Sequence, residues 1–180
     1  VLICDDHQIV RQGIKQILAD ASDLSLAGEA ASGPEAIARV RAGGIDVVLM
    51  DIAMPQRDGL DVLKQLRAEF PKLPVLMLST YPDRQYAVRS LKLGAAGYLN
   101  KSADAEQMTE AIRRVAGGRL FITPNVAEQL AGAVGGGTHD DTPLHDRLSH
   151  REYQVFRLLA AGRSVGEIAE ALAESRGLAH

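Results

Sequence analysis

Cysteine is nearly absent: Cys4 is the single one in 180 residues. That excludes a disulfide framework and fits a reducing compartment. Cys4 lies inside the first apolar run, where a buried, inert thiol is expected. Basic excess is missing as well. The net charge of −3 carries no whole-chain signature for nucleic acid, although such an average does not exclude a small basic module. No apolar run approaches the roughly 20 residues that cross a bilayer. No signal-peptide pattern precedes the first strand, so the expectation is a cytoplasmic protein with no membrane partner. No Gly-rich loop follows the first strand, which removes the dinucleotide-binding reading. A G-x-x-x-x-G-K-[ST] motif is absent too, and with it the phosphate-cradling NTPase loop. GGGT at 135–138 follows no strand and reads as linker. Internal repeats are not found.

What is present is alternation. Short apolar runs read as strands at VLIC (1–4), LSLAGEA (24–30), DVVLMD (46–51), PVLMLS (74–79) and AGYLN (96–100). Segments with helical spacing lie between them. Val10, Ile14, Ile17 and Leu18 share one helical face. Ser32 and Glu35 form a capping-box pattern ahead of Ala36, Ile37 and Val40. Leu60, Leu63, Leu66 and Phe70 mark a third helix, ended by Pro71. Val88, Leu91 and Leu93 mark a fourth, ended by Gly94. Ala111, Ile112 and Val115 mark a fifth, ended by Gly117 and Gly118. Strict strand–helix alternation predicts an α/β domain, a five-stranded doubly wound parallel sheet with helices on both faces. Nearly continuous apolar strands agree, because such strands are covered on both sides.

Ligands in this architecture sit beyond the carboxyl ends of the strands. Strand one delivers Asp5 and Asp6 there, strand three Asp51, strand four Ser79 and Thr80, and strand five Lys101. Adjacent carboxylates at the end of a buried strand repel, and burial makes each harder to ionise. A cation offsets that repulsion. Three carboxylates around a cleft are a hard-oxygen site of the kind Mg²⁺ takes together with phosphate oxygens. A carboxylate can also attack phosphorus and form an aspartyl phosphate. A lysine and a hydroxyl can then bind the phosphoryl oxygens. Each residue alone has a plain reading as a solvated strand end or a surface charge. Four of them at matching strand ends favour the functional one.

LICDDH, VVLMDIAMPQRDGLD, PVLMLST and GAAGYLNK together resemble the receiver domain of bacterial two-component response regulators. Asp51, Met54, Pro55 and Gly59 fit its D-x-x-M-P-x-x-x-G pattern. The resemblance spans 1–118 and implies a receiver domain there. It implies that Asp51 is the phosphoacceptor, that Asp6 is the direct Mg²⁺ ligand and that Asp5 assists through water. It gives the Ala53 backbone carbonyl a place in the metal shell. Ser79 falls at the switch hydroxyl, Tyr98 at the switch aromatic, and Lys101 pairs with the acids and then with the phosphoryl group. The implied partner is a sensor histidine kinase, with a phosphorylation-dependent homodimer as product. Two positions depart from the common pattern. Ser102 replaces a proline after the lysine, which removes the reason to expect a cis peptide there. Thr80 is larger than the residue usual after the switch hydroxyl. His7 reads as a helix-start residue rather than a ligand, since hard Mg²⁺ prefers oxygen.

Residues 119–147 read as a linker with one short helix. In 148–180, Ser149 with Glu152 and Ser164 with Glu167 form two capping boxes around a turn at Gly162. That is an αα-hairpin pattern compatible with helix-turn-helix. Leu148, Ser149, Arg151, Glu152, Val155, Gly162, Ser164, Glu167, Ile168 and Ala169 closely resemble the DNA-binding domain of NarL/FixJ (LuxR-type) regulators. RGLAH at 176–180 departs from it, because the family's recognition helix continues past this serine. Leu178 and Gly177 do not fit that helix, so the domain is expected to be partial and no DNA-reading residue is assigned.

The expected function is a phosphorelay response regulator, with promoter DNA a partner of the full-length parent. A receiver module acting through protein contacts alone is the competing class. An aspartyl-phosphate phosphatase is a third, but Ala53 stands where those enzymes carry a second aspartate, and no enzyme activity is expected. Specific DNA binding needs side chains on a helix in the major groove. From Arg147 on, five arginines face four glutamates, a weak phosphate anchor. The 180-residue chain is therefore expected not to prefer a promoter site over random DNA. A competition gel shift at physiological salt checks this. A preference of about tenfold, or about 1.4 kcal/mol, contradicts it.

Overall fold

The computed structural model describes residues 1–55, 57–80 and 84–123, with Val126, Ala127 and Val155. The chain divides into two units, Val1–Gly137 and Thr138–His180. The linker helix and the helix-turn-helix reading of 148–180 lie outside the described residues, apart from Val126, Ala127 and Val155.

Five strands alternate with five helices: β1 (Leu2–Cys4), α1 (Gln8–Ala19), β2 (Gly28–Ala30), α2 (Gly33–Ala42), β3 (Val48–Asp51), α3 (Gly59–Glu69), β4 (Val75–Ser79), α4 (Arg84–Lys92), β5 (Gly97–Asn100) and α5 (Ala105–Ala116). The sheet runs β2-β1-β3-β4-β5, and every neighbouring pair is parallel. Strand order reverses between β1 and β3, which opens a crevice at their carboxyl ends.

Period-two alternation sorts the strand side chains. Ile3, Leu49, Leu76, Leu78 and Leu99 form one core with Ile14 and Leu18 of α1 and Met108, Ile112 and Val115 of α5. Leu2, Cys4, Val48, Met50 and Met77 are equally buried on the other parity, where α2, α3 and α4 contact the sheet. Both faces are covered, which is why the strands read as unbroken apolar runs.

Three elements differ from the sequence expectation. Strand β2 starts at Gly28, although the apolar pattern begins at Leu24. Leu24 packs against the core from the preceding loop, and Leu26 is exposed. At α2, Ser32 Oγ accepts the Glu35 amide at 3.4 Å. The Glu35 carboxylate, however, takes the Ala31 amide at 2.8 Å instead of the amide of Ser32. Helix α4 buries Tyr86, Ala87 and Ser90, whereas Val88 and Leu91 are only half-buried. The segment after α5 also joins the sheet. Phe121 bridges to Gly97 in parallel, donating to Ala96 O at 3.0 Å and accepting from the Tyr98 amide at 3.2 Å.

Candidate functional site

The acids stand at the strand ends because the ladder carries them there. The Asp5 amide still donates to Ala30 O at 3.1 Å, beyond the last paired residue of β1. The Asp5 side chain turns back and accepts the His7 amide at 2.8 Å, which opens the chain into α1. Asp51 closes β3 opposite Leu78 of β4. Gly59 makes the next turn possible. A Cβ there would collide with the Asp51 carbonyl, so the first residue of α3 passes directly against the end of β3. The Gly59 amide donates to Ile52 O at 3.0 Å.

Lys101 joins the two strands electrostatically. Its Nζ lies 2.6 Å from Asp5 Oδ2 and 2.8 Å from Asp51 Oδ2. Both are short, buried ion pairs, and the distances make Lys101 the compensating cation. Asp5 and Asp51 are 0% and 1% exposed. Burial, the strongest influence, pushes the Asp51 carboxyl up to about 6; Lys101 holds it back and Asp5 adds to the rise. Burial draws Lys101 down, but Asp51 and Asp5 outweigh it and the net displacement is upward. Of the opening acid pair, Asp5 is thus stabilised from across the sheet.

Asp6 is placed differently. Its Oδ1 is buried, without a hydrogen bond among the described residues, and has His7 Nδ1 at 2.9 Å. His7 does cap the start of α1, with extended backbone and no side-chain cap bond. Its Nδ1 also sits 3.2 Å from Asp5 Oδ1, a closeness that sequence reasoning missed and that no spacing rule marks. Asp5, Asp6, His7 and Asp51 each offer one donor atom, all within 4.8 Å of one another. The Ala53 amide donates to Asp51 Oδ1 at 3.2 Å, so this loop wraps the same carboxylate. Ser79 ends β4 in register with Asn100 and is buried. Its carbonyl accepts the Lys101 amide at 2.8 Å. Thr80 is exposed. Tyr98 lies in register with Met77 and is turned inward, 7% exposed. Asp5, Asp6, Asp51, Ser79 and Lys101 therefore share the carboxyl edge of the sheet, and Tyr98 lies within β5.

The response regulator receiver domain model matches residues 1–113. The chain belongs to that family. GacA of Pseudomonas aeruginosa, a response regulator, is 37% identical over 172 residues, covering 96% of this chain and 80% of GacA. A two-component response regulator of the LuxR family from Aurantimonas sp. SI85-9A1 superposes with a TM-score of 0.68 at 27% identity, over 74% of this chain and 95% of that one. RcsB of Salmonella enterica serovar Typhimurium, solved bound to promoter rprA with phosphomimetic BeF₃⁻, gives 0.64 at 26% identity, over 96% and 82%. The NarL/FixJ (LuxR-type) resemblance is borne out, and the chain is a two-component response regulator. Among the described residues no helix is long and apolar enough to cross a membrane.

Proposed function

We propose that Asp51 accepts a phosphoryl group from a sensor histidine kinase, and that this transfer switches the regulator. The observation that carries the reading is the buried Lys101 ammonium, shared between Asp51 and Asp5 at 2.8 and 2.6 Å. One Asp51 carboxylate oxygen attacks phosphorus, the Oδ–P bond forms, and the donor imidazole leaves with the electron pair of the broken N–P bond. Lys101 and the Ser79 hydroxyl then bind phosphoryl oxygens. Asp6, Asp51 and the Ala53 carbonyl would hold Mg²⁺, with Asp5 assisting through water. The donor chemistry fits, since hard oxygens surround a buried carboxylate oxygen that lacks a hydrogen bond. Bound Mg²⁺ supplies charge neutralisation for the phosphoryl group.

Tyr98 is the aromatic partner of the Ser79 switch, and the phosphorylated receiver forms a homodimer. Residues 1–118 make up the receiver, 119–147 the linker, and 148–180 part of a DNA-binding domain. The protein works in the cytoplasm as a regulator rather than an enzyme. Promoter DNA is the target proposed for the regulator, by analogy with the RcsB complex. A receiver acting through protein contacts alone is the second reading, and a promoter preference of about tenfold in the gel shift described above would exclude it.

The metal ranking tests the site. Both Asp5 oxygens are engaged, by the His7 amide and by Lys101. Among the described residues the Asp6 carboxylate has only the His7 ring beside Oδ1, so of the two adjacent acids Asp6 is the freer to ligate. Asp6→Ala is expected to weaken Mg²⁺ binding, measured by calorimetry, and to slow phosphorylation more than Asp5→Ala does. Equal affinities in the two variants would refute the assignment.

A further inference from the structure

Arg11 reaches the acid turn from α1. Its Nη1 donates to the Asp5 carbonyl at 2.7 Å. Its Nε pairs with Glu29 Oε2 of β2 at 3.2 Å, and Lys15, one turn along α1, holds Glu29 Oε1 at 2.9 Å. The Arg11 side chain is 15% exposed. A planar guanidinium held at one edge can fix an acceptor at the other, which an ammonium cannot do as well. The Asp5 carbonyl belongs to the peptide that joins Asp5 to Asp6. Holding it fixes the plane of that peptide and hence the direction in which the Asp6 side chain leaves the backbone. Nothing else in the described contacts performs this for Asp6, whose carboxylate meets only His7. Asp5, by contrast, is held through its amide, both carboxylate oxygens and its carbonyl.

We propose that Arg11, clamped by Glu29, is a positioning residue that aims Asp6 at the metal. The inference rests on the reading of the acid site as an Mg²⁺ site. Direction separates positioning from charge. Removing a cation beside a cation site should tighten Mg²⁺ by Coulomb's law alone, whereas losing the aim of Asp6 weakens it.

Calorimetric titration of the 180-residue chain with Mg²⁺ alone measures the effect. Arg11→Ala is expected to raise Kd by about tenfold, the usual scale for groups that orient metal ligands. The rate of labelling by acetyl phosphate at saturating Mg²⁺ should stay within about twofold of the parent. Arg11→Lys and Glu29→Gln should each raise Kd by less. Glu29→Gln should add nothing in the Arg11→Ala background, because Glu29 acts through Arg11. Circular dichroism confirms folding. If Arg11→Ala does not fold, the rise in Kd in Arg11→Lys and Glu29→Gln decides the matter. Unchanged or tighter Mg²⁺ binding in the folded Arg11 variants, or additive losses in the double variant, overturns the inference. Failure of the unsubstituted chain to bind Mg²⁺ would instead overturn the metal assignment beneath it.

Discussion

Asp51→Asn is expected to abolish phosphate incorporation from acetyl phosphate with Mg²⁺. The amide that replaces the carboxylate is not a nucleophile toward phosphorus. Hydroxylamine-sensitive labelling that survives in the variant would move the phosphoacceptor elsewhere. The same substitution carries a second expectation, of opposite sign for stability. Burial raises the Asp51 carboxyl from 3.8 to about 6, so the folded state holds a proton there more tightly than the unfolded chain. An acid shifted this way costs nothing below its unfolded pKa. Its cost grows as pH rises toward 6 and is fully present above. Each pKa unit corresponds to about 1.4 kcal/mol. Metal-free Asp51→Asn should therefore be more stable than the parent by about 2–3 kcal/mol at pH near 7.5, with the gain shrinking toward pH 4. Urea melts of both proteins at the two pH values check this. A variant no more stable than its parent would mean that Lys101 fully compensates the Asp51 carboxylate.

The legibility of this fold follows from what each element buries. β3 and β4 are buried end to end, so composition alone marked them. Helix α4 was found, but its inward face was misread. Tyr86, Ala87 and Ser90 cover the sheet there, and a face built from a hydroxyl, a methyl and a phenol does not stand out in an apolar pattern. Among the described residues the Ser90 hydroxyl is even buried without a hydrogen bond, contrary to what polarity suggests. The backbone bridge made by Phe121 was also missed, although a signal existed. Gly97 sits within β5, and a Cβ there would come 2.7 Å from Phe121 O. A glycine inside a strand often marks the close approach of another backbone.

The site divides in the same way. Acids and a lysine at strand ends are legible because parallel topology sends all strand ends to one edge. Which oxygen meets which partner is not legible. Arg11 binds a backbone carbonyl, and carbonyls are present at every residue, so no sequence pattern can single out this one. His7 was read correctly as a helix start, yet its ring lies against both acids, because the Asx-type turn at Asp5 folds the chain back on itself.

Lys101→Met should have the other large effect, since it keeps the aliphatic stem and deletes the charge. Asp5 and Asp51 would then be buried carboxylates with no cation between them. Breaking a buried pair by removing one partner costs about 3–5 kcal/mol, and metal-free Lys101→Met should lose stability on that scale near neutral pH. The pH dependence identifies the cause. Lys101 is shifted upward, so its contribution is complete below its ordinary value of 10.5 and disappears only as alkaline pH crosses the folded value. Across pH 5 to 8 the lysine itself adds no slope. Any slope that appears in the variant comes from the acids it leaves behind, and its loss of stability should shrink as acid pH protonates them. Mg²⁺ should recover part of the loss, because a divalent ion restores positive charge to the cleft. Labelling from acetyl phosphate should fall roughly a hundredfold, the usual consequence of removing one fixed donor to a developing anion. Melts at several pH values with and without Mg²⁺ test the argument together. If Lys101→Met is as stable as the parent at pH 7.5 without metal, the ammonium is not what holds the two acids in place.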